Sequence, residues 1–555
     1  MSERAPAYDA YYQIYPASFY DKNGDGMGDL AGITEKLDYV QETGFNGFWV
    51  TPFYPSPWKD GGYDISNYTD VDPRFGTLQD FDEMVKTAHS RNLKVFIDLV
   101  PNHSSDQHPW FQQSRASDPQ YADYYVWRDE IPNNWQAHFP IWERDEATGG
   151  FIHKPRSAWT FDHQRNAYRL NSFSPEQPDL NWENPQVRKE FADIMRFWLE
   201  RGVDGFRVDV VDHIGKHPDL LDEDPNPHYV SGQGWPRDAL LNRNSCNYPS
   251  AVTYIKEMAD VLAEYEARDG RPRTIVAEAH VPMEDYANYW IGNRVMPFNF
   301  QSVYERPWNA RSYQKTYEDY HNLVPLGAMP THVLGNHDEP RLVDRIMAAT
   351  HTSPREARRA ARSLAMVQMT LPGITYTYMG DELGAQNAEI PEHKINDSYL
   401  RRDPQRATMP WRTGPTGGFT TAKEGWLPPI PFGSYTSIRA QQSNKSSHLA
   451  YYRKLLSLRA SHSALSRAGV FIPMTAYYRG DRPHKDILVF GRATCQNETV
   501  TIMNFSKEDR EVRLERNIGD SLLLLSGLDQ KLEIHPKRPD TVRLKGFQSA
   551  IIQTK

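Results

Sequence analysis

The sequence is poor in the features that mark disulfide-rich, membrane-spanning and nucleic-acid-binding proteins. It has only two cysteines, Cys246 and Cys495, far apart in the chain, so a disulfide framework is not expected. No run of about 18 apolar residues occurs, and the first residues contain no apolar secretion signal. Lys and Arg form no block, and the formal net charge is -9. These absences predict a soluble, cytoplasmic protein with no nucleic-acid or membrane partner.

The length and the apolar content indicate a large core and more than one domain. The chain has 555 residues, of which 39% are hydrophobic. It also contains 14 Trp and 31 Tyr. Such aromatic content suits a pocket for sugars or other flat ligands, and it equally suits a large core.

One short apolar segment, residues 205–211, carries two charged residues in alternate positions, Arg207 and Asp209. In a strand these side chains lie on the same face, either as a structural ion pair or as part of a site. Three further apolar runs also lead into polar side chains. Their polar residues are Asn102 and His103, Glu278, and Asn336, His337 and Asp338. Several strands that end in polar groups predict a barrel with its site at the C-terminal face.

The order of elements predicts an α/β fold, a (β/α)₈ TIM barrel with two additions. Predicted strands alternate with amphipathic helices from about residue 11 to residue 465. The alternation is interrupted after the third strand, where a segment rich in Trp, Pro and Asn is too long for a plain loop. Short alternating strands follow the barrel and predict an antiparallel β-sandwich. The predicted division is barrel 1–103, inserted domain 104–174, barrel 175–466 and sandwich 467–555.

An oxygen-rich loop follows the first strand, with the sequence Asp21-Lys22-Asn23-Gly24-Asp25-Gly26-Met27-Gly28-Asp29. Oxygen-bearing side chains at alternate positions, separated by glycines, suit a hard cation such as Ca²⁺, and Mg²⁺ stays open. The alternative is a polar glycine turn without a metal.

Three carboxyl groups, those of Asp209, Glu278 and Asp338, are expected at one mouth of the barrel. One ionised and one protonated carboxyl group are the minimum for glycosidic bond cleavage. Asp209 is the expected nucleophile, and Arg207 beside it favours its ionised form.

Four segments resemble the signature segments of the α-amylase superfamily of glycoside hydrolases. They are Asp98 to His103, Gly205 to Asp209, Ala277 to Ala279 and Asn336 to Asp338. A fifth, Gln177-Pro178-Asp179-Leu180-Asn181, resembles the segment that marks the oligo-1,6-glucosidase and α-glucosidase branch. The resemblance implies a retaining, exo-acting α-glucosidase without an organic cofactor, monomeric or a small homo-oligomer, acting on short oligosaccharides.

The resemblance also implies roles for individual residues. Asp209 matches the nucleophile, Glu278 the general acid/base and Asp338 the carboxylate that binds the sugar. Asp64 and Arg406 match the pair that closes the pocket. The remaining pocket positions match Tyr63, His103, Phe173, Gln177, Arg207 and His337, and the calcium ligands match Asp21, Asn23, Asp25, the Met27 carbonyl and Asp29.

Val210, directly after the nucleophile, matches the position that accompanies α-1,6 specificity in this family. It is equally a good strand residue. An apparent insertion at residues 140–156 and His280-Val281-Pro282 after the acid/base depart from the branch where a leaving group would lie. The alternatives are therefore α-1,4, sucrose, kojibiose or nigerose specificity, or a transglucosylase, trehalose synthase or sucrose isomerase. A catalytically inactive binding protein is disfavoured because the carboxylates are present.

Overall fold

The computed structural model describes residues 8–130, 132–144, 151–230, 234–303, 308–431, 437–478, 480–527 and 531–554. Its largest sheet has eight parallel strands in the order β6-β5-β4-β3-β2-β1-β8-β7. A parallel bridge between Asn299 and His332 joins the two ends of this order. The predicted barrel is therefore confirmed. Its strands are β1 (Asp9–Ile14), β2 (Gly47–Val50), β3 (Lys94–Leu99), β4 (Gly205–Val208), β5 (Thr274–Ala277), β6 (Val295–Pro297), β7 (Thr331–Val333) and β8 (Ile374–Tyr378).

Helices follow the strands of the barrel and cover its outer face. Several begin at side-chain caps, such as Thr77 with Asp80, which form a reciprocal capping box. The helical segment over residues 30–43 is divided at Lys36, which lies outside helical geometry. The long barrel helices are Leu30–Glu35, Leu37–Thr43, Leu78–Ser90, Pro185–Glu200, Ser250–Asp269, Ala310–Leu323, Leu342–Thr350, Pro354–Thr370 and His448–Ser461.

Between β3 and β4 the chain forms a separate small layer. It contains one helix, a three-stranded antiparallel sheet and a two-stranded hairpin. The hairpin falls within the apparent insertion at residues 140–156, of which 145–150 lie outside the described residues. The elements are the helix Pro109–Arg115 and the strands Trp127–Arg128, Ile141–Arg144, Phe151–Lys154, Trp159–Asp162 and Ala167–Leu170.

Two antiparallel sheets follow the barrel, one of five strands and one of four. Their facing apolar side chains, such as Val489, Val500 and Val542, form a core of their own. The strands are Val470–Pro473, Ala476–Tyr477, Ile487–Ala493, Glu498–Asn504, Arg510–Leu514, Leu522–Ser526, Glu533–Ile534, Thr541–Leu544 and Ser549–Thr554. No helix in the described ranges is long and apolar enough to cross a membrane.

Strand β4 ends earlier than the sequence predicts. Val208 is its last residue, and Val210 takes a left-handed conformation with φ of 35°. This conformation is rare for a β-branched residue and costs roughly 1–3 kcal/mol. The turn redirects the chain directly after Asp209, at the C-terminal face of the barrel.

Candidate active site

Arg207 lies at the centre of the site, where its guanidinium contacts three carboxyl groups. One nitrogen lies 2.6 Å from Asp98 and 2.6 Å from Asp209, and the other donates to Glu278. Asp98 pairs in register with Arg207 across β3 and β4, while Asp209 and Glu278 directly follow β4 and β5. Three neighbouring parallel strands therefore bring these groups together at one mouth.

Asp98 anchors Arg207 from below the mouth. The Trp49 indole and the Tyr63 hydroxyl donate to one Asp98 oxygen at 2.8 and 3.2 Å, while Arg207 binds the other. Burial raises the pKa of Asp98 to about 6, although Arg207 opposes the shift. The arrangement fixes the guanidinium between the two candidate catalytic carboxyls.

Asp209 and Glu278 are both hydrogen-bonded to the guanidinium of Arg207, which lies between them. Burial raises the pKa of Asp209 well above its ordinary value, and the charge of Glu278 adds to the effect. For Glu278 burial acts in the same direction, but Arg207 and His280 outweigh it and lower the pKa to about 2. The two carboxyl groups therefore have pKa shifts of opposite direction.

Tyr63 and His337 form one wall of the pocket. Their rings stack with centroids 5.3 Å apart and planes inclined by 2°. The Gln13 amide lies 2.8 Å from His337 Nδ1. Burial lowers the pKa of His337 to about 3, so the ring is neutral near pH 7. His337 Nε2 is buried and lies 3.2 Å from an Asp338 oxygen, but without the geometry of a hydrogen bond. The two residues therefore form one polar edge of the pocket.

Asp338 lies beside this wall between two buried arginines. Arg402 and Arg406 donate to the same Asp338 oxygen at 2.9 and 3.0 Å. Although burial opposes it, His337 and the two arginines hold the pKa of Asp338 well below its usual range. Its carboxylate, 24% exposed, is ionised and accessible from the pocket.

The pocket is closed by Asp60, and this corrects the expectation for Asp64. Asp60 pairs with Arg402, and Gln177 donates to its other oxygen at 2.9 Å. The Asp64 carboxylate is fully buried and binds its own loop, accepting from the Ser56 hydroxyl and from two backbone amides at 2.9–3.1 Å. Arg406 contacts Asp338 rather than Asp64. Asp64 therefore shapes the loop, and Asp60 faces the pocket.

The side toward the inserted layer combines one histidine with apolar groups. His103 Nε2 lies 3.0 Å from the Gln177 amide, and the His103 ring lies 5.1 Å from that of Phe173. Phe173 packs with Val210 and Phe139 in a small apolar cluster. The Val210 amide lies 3.4 Å from the Glu278 carboxylate. This cluster therefore borders the acid/base, and Phe139 also lies 5.4 Å from the Arg402 guanidinium.

Sequence reasoning missed Asp60, Asp98 and Arg402 as members of the site. Asp98 stood within a recognised segment, and Asp60 lies three residues before Tyr63, a residue already assigned to the pocket. Arg402 contacts Asp60, Asp338 and Asp397 at once. No local pattern marks such a long-range contact, because the partners lie up to 342 positions away.

The oxygen-rich loop after β1 wraps around its own side chains. Asp21 accepts from the amides of Gly24 and Gly26 at 2.7 Å each, and Asp29 caps the following helix. No Lys or Arg forms an ion pair with Asp21, Asp25 or Asp29 in the described ranges. The donor set of carboxylate, amide and carbonyl oxygens fits a hard cation. Backbone amides of the loop already donate to the carboxylates of Asp21 and Asp29. The fit to a cation therefore depends on the type of the ligand atoms, because these oxygens have partners within the protein.

Comparison with known proteins identifies relatives along the whole chain. Residues 13–468 match the family described as the alpha amylase catalytic domain. An alpha-glucosidase of Apis mellifera is 34% identical over 533 residues, which cover 91% of this chain and 86% of that protein. An oligo-1,6-glucosidase of Parageobacillus thermoglucosidasius is 33% identical over 563 residues, covering 93% and 94%.

Solved structures of similar shape include an alpha-glucosyl transfer enzyme and a trehalulose synthase. The alpha-glucosyl transfer enzyme XgtA superposes with a TM-score of 0.85 at 31% identity, covering 100% of both chains. A variant of the trehalulose synthase MutB in complex with Tris superposes with a TM-score of 0.83 at 29% identity, covering 98% of this chain and 99% of that one. The barrel, the carboxyl groups at its mouth and these matches together show that the chain is an enzyme belonging to the alpha-amylase family of glycoside hydrolases.

Proposed function

We propose that the protein is an exo-acting, retaining α-glucosidase that releases glucose from the non-reducing ends of short α-glucosides. The observation that carries this proposal is the closed, polar pocket beside the carboxyl pair of Asp209 and Glu278. Asp60, Arg402 and Asp338 close its far end through buried ion pairs. A pocket closed in this way admits one terminal sugar, because a continuing chain would collide with the ion pairs.

The proposal of retention follows from the sequence resemblance, and the bridging of the two carboxyls by one guanidinium is consistent with it. Retaining enzymes hold their carboxyls roughly 5–5.5 Å apart, whereas inverting enzymes leave about 6.5–9.5 Å for a water molecule. Here a single guanidinium, that of Arg207, contacts both Asp209 and Glu278. In the proposed reaction an Asp209 oxygen attacks the anomeric carbon while Glu278 gives its proton to the leaving oxygen. Water then releases glucose, and its proton returns to Glu278.

This reaction requires an ionised Asp209 and a protonated Glu278, which is the reverse of the directions in which their pKa values are shifted. A bound sugar places its electron-poor anomeric carbon beside Asp209 and its basic glycosidic oxygen beside Glu278. Both contacts favour an ionised Asp209 and a protonated Glu278. Asp338 and His337 Nε2 are placed to bind sugar hydroxyls during the step.

For the linkage we propose α-1,6, as in isomaltose. Val210 is 6% exposed and packs with Phe139 and Phe173 beside Glu278. A branched apolar side chain at this place narrows the approach of the leaving group. The preference for α-1,6 over other linkages is taken from the sequence resemblance. The alternatives are hydrolysis of α-1,4 bonds, sucrose, kojibiose or nigerose.

Glucosyl transfer is the second candidate function. It keeps the covalent intermediate and replaces water with a sugar acceptor. The likeness to XgtA, described as an alpha-glucosyl transfer enzyme, favours it. Accumulation of new oligosaccharides at high substrate concentration would identify it.

We also propose that the loop from Asp21 to Asp29 binds Ca²⁺ as a structural ion. Its oxygen ligands would be those of Asp21, Asn23, Asp25, the Met27 carbonyl and Asp29. When bound, the ion would neutralise the loop carboxylates and fix the segment between β1 and the first barrel helix.

To test the proposed function, the purified protein is incubated with equimolar isomaltose, maltose, kojibiose, nigerose, sucrose and trehalose, and every product is followed by chromatography. Glucose release mainly from isomaltose is expected, with α-glucose as the first product by NMR. Asp209→Asn is the matched control and should lose nearly all turnover, because an amide cannot form the glycosyl ester. Release of β-glucose first would refute retention, and full activity of the variant would remove Asp209 from the mechanism.

A further inference from the structure

A cluster of polar side chains adjoins Glu278, next to Phe173. We call it the leaving-group pocket and define it by His138, Asp212, His213, Arg237 and His280. The rings of His138 and His213 lie 5.5 and 5.1 Å from that of Phe173. His280 Nε2 lies 3.1 Å from the Glu278 carboxylate. These contacts place the pocket directly next to the acid/base.

Asp212 presents a buried carboxylate that the described protein does not satisfy. The residue is 1% exposed, and neither carboxylate oxygen has a hydrogen-bond partner in the described ranges. The nearest cationic candidate, His213 Nε2, lies 4.0 Å away. Burial lowers the pKa of His213 well below its usual value, so this ring is neutral. A buried carboxylate without partners costs free energy that a ligand can recover.

Arg237 presents the complementary case, a buried guanidinium with neutral partners. It is 7% exposed, and its nitrogens lie 2.8 Å from His138 Nδ1 and 3.7 Å from the Cys246 sulfur. Burial lowers the pKa of His138 well below its usual value and raises that of Cys246 to about 12. No Asp or Glu of the described chain forms an ion pair with this guanidinium. A buried carboxyl group and a buried guanidinium therefore both lie near the Cys246 sulfur, Asp212 within 4.8 Å of it and Arg237 at 3.7 Å.

The two charges restrict what the pocket can bind. An anionic ligand would meet Asp212, and a cationic ligand would meet Arg237. A metal ion is disfavoured even though ligand atoms of Asp212, His213 and Cys246 lie within 4.8 Å of one another. The Cys246 thiol is protonated, and a guanidinium already contacts its sulfur. A neutral group that both donates and accepts hydrogen bonds suits both charges, and hydroxyls do so.

We propose that Asp212 and Arg237 bind the hydroxyls of a neutral, polyhydroxylated leaving group, a sugar or a polyol, and so determine leaving-group specificity. In glucosyl transfer the same pair binds the acceptor, which attacks the glucosyl-Asp209 ester and loses its proton to Glu278. This inference rests on the proposed function, because it assigns the partner of the same glucosyl pocket.

The test compares two substrates that share the glucosyl group and differ in the leaving group. One is the disaccharide that the unmodified enzyme cleaves fastest. The other is α-glucosyl fluoride, whose leaving group is too small to reach Asp212. In Asp212→Asn and Arg237→Met, the ratio of kcat/KM for the disaccharide to kcat/KM for the fluoride should fall about 10- to 100-fold. A proportional loss for both substrates, or an unchanged ratio, would overturn the proposal.

A second measurement does not depend on how much of a variant is folded. With glucosyl fluoride as donor and glycerol as acceptor, the glucosyl enzyme partitions between water and glycerol. The fraction of glucosyl glycerol should fall severalfold in Asp212→Asn, because both products arise from the same intermediate. An unchanged partition would contradict the role of Asp212. If the unmodified enzyme cleaves neither the disaccharides nor the fluoride, the proposed function itself fails.

Discussion

The contact between His280 and Glu278 predicts a measurable shift in the pH dependence of activity. Glu278 must be protonated to release the leaving group, so loss of the last proton from the coupled pair of Asp209 and Glu278 limits kcat/KM on the alkaline side. His280 Nε2 lies 3.1 Å from Glu278 and contributes to the lowering of its pKa. Replacing His280 should raise the pKa of Glu278 and extend activity to higher pH.

The size of the shift follows from the strength and exposure of the contact. A hydrogen bond to a charged group is worth about 1.5–3 kcal/mol, which corresponds to about one to two pKa units. The His280 side chain is 33% exposed, so solvent screens the interaction and about one unit is expected. His280→Phe removes the nitrogens and keeps a ring against Phe300, on which His280 now stacks at 5.1 Å.

The assay is kcat/KM from pH 4 to pH 10 for the unmodified enzyme, His280→Phe and His280→Gln. His280→Gln keeps a neutral donor and should shift the alkaline limb less than His280→Phe. A lower kcat/KM with an unchanged alkaline limb would refute the reasoning. That result would indicate that His280 contributes to packing and not to the pKa of Glu278.

Three further outcomes concern closure of the pocket, linkage and the metal loop. Asp60→Asn should lower kcat/KM about 10- to 100-fold because it weakens the contact with Arg402, and Asp64→Asn should lower it less. Equal losses of kcat/KM in steady-state assays would show that Asp64 also contributes to the pocket. Val210→Ala should raise the ratio of maltose to isomaltose cleavage at equal enzyme concentration, and a constant ratio would remove Val210 as a linkage determinant. A chelator should lower the melting temperature, Ca²⁺ should restore it, and Asp25→Ala should abolish the response; identical melting curves would exclude the calcium site.

Periodicity and end-of-strand polarity were sufficient to predict the barrel. The eight strands are local apolar runs, and their alternation with amphipathic helices permits few topologies. Arg207 and Asp209 were assigned to one face because the side chains of a strand alternate. The structure keeps both at the mouth, although the strand ends at Val208 and the chain then turns.

Which aspartate faces the pocket, and which buried charges pair with each other, is apparent only in the folded protein. Asp60 and Asp64 stand four residues apart in one polar loop, and no local rule separates them. Asp60 forms an ion pair with Arg402, 342 positions away, whereas the Asp64 carboxylate accepts hydrogen bonds from backbone amides of its own loop. Local sequence patterns are sufficient to predict the strands and helices of the barrel and the polar side chains at the ends of the strands. Pairing of charges across the mouth depends on distances that arise only when the barrel closes.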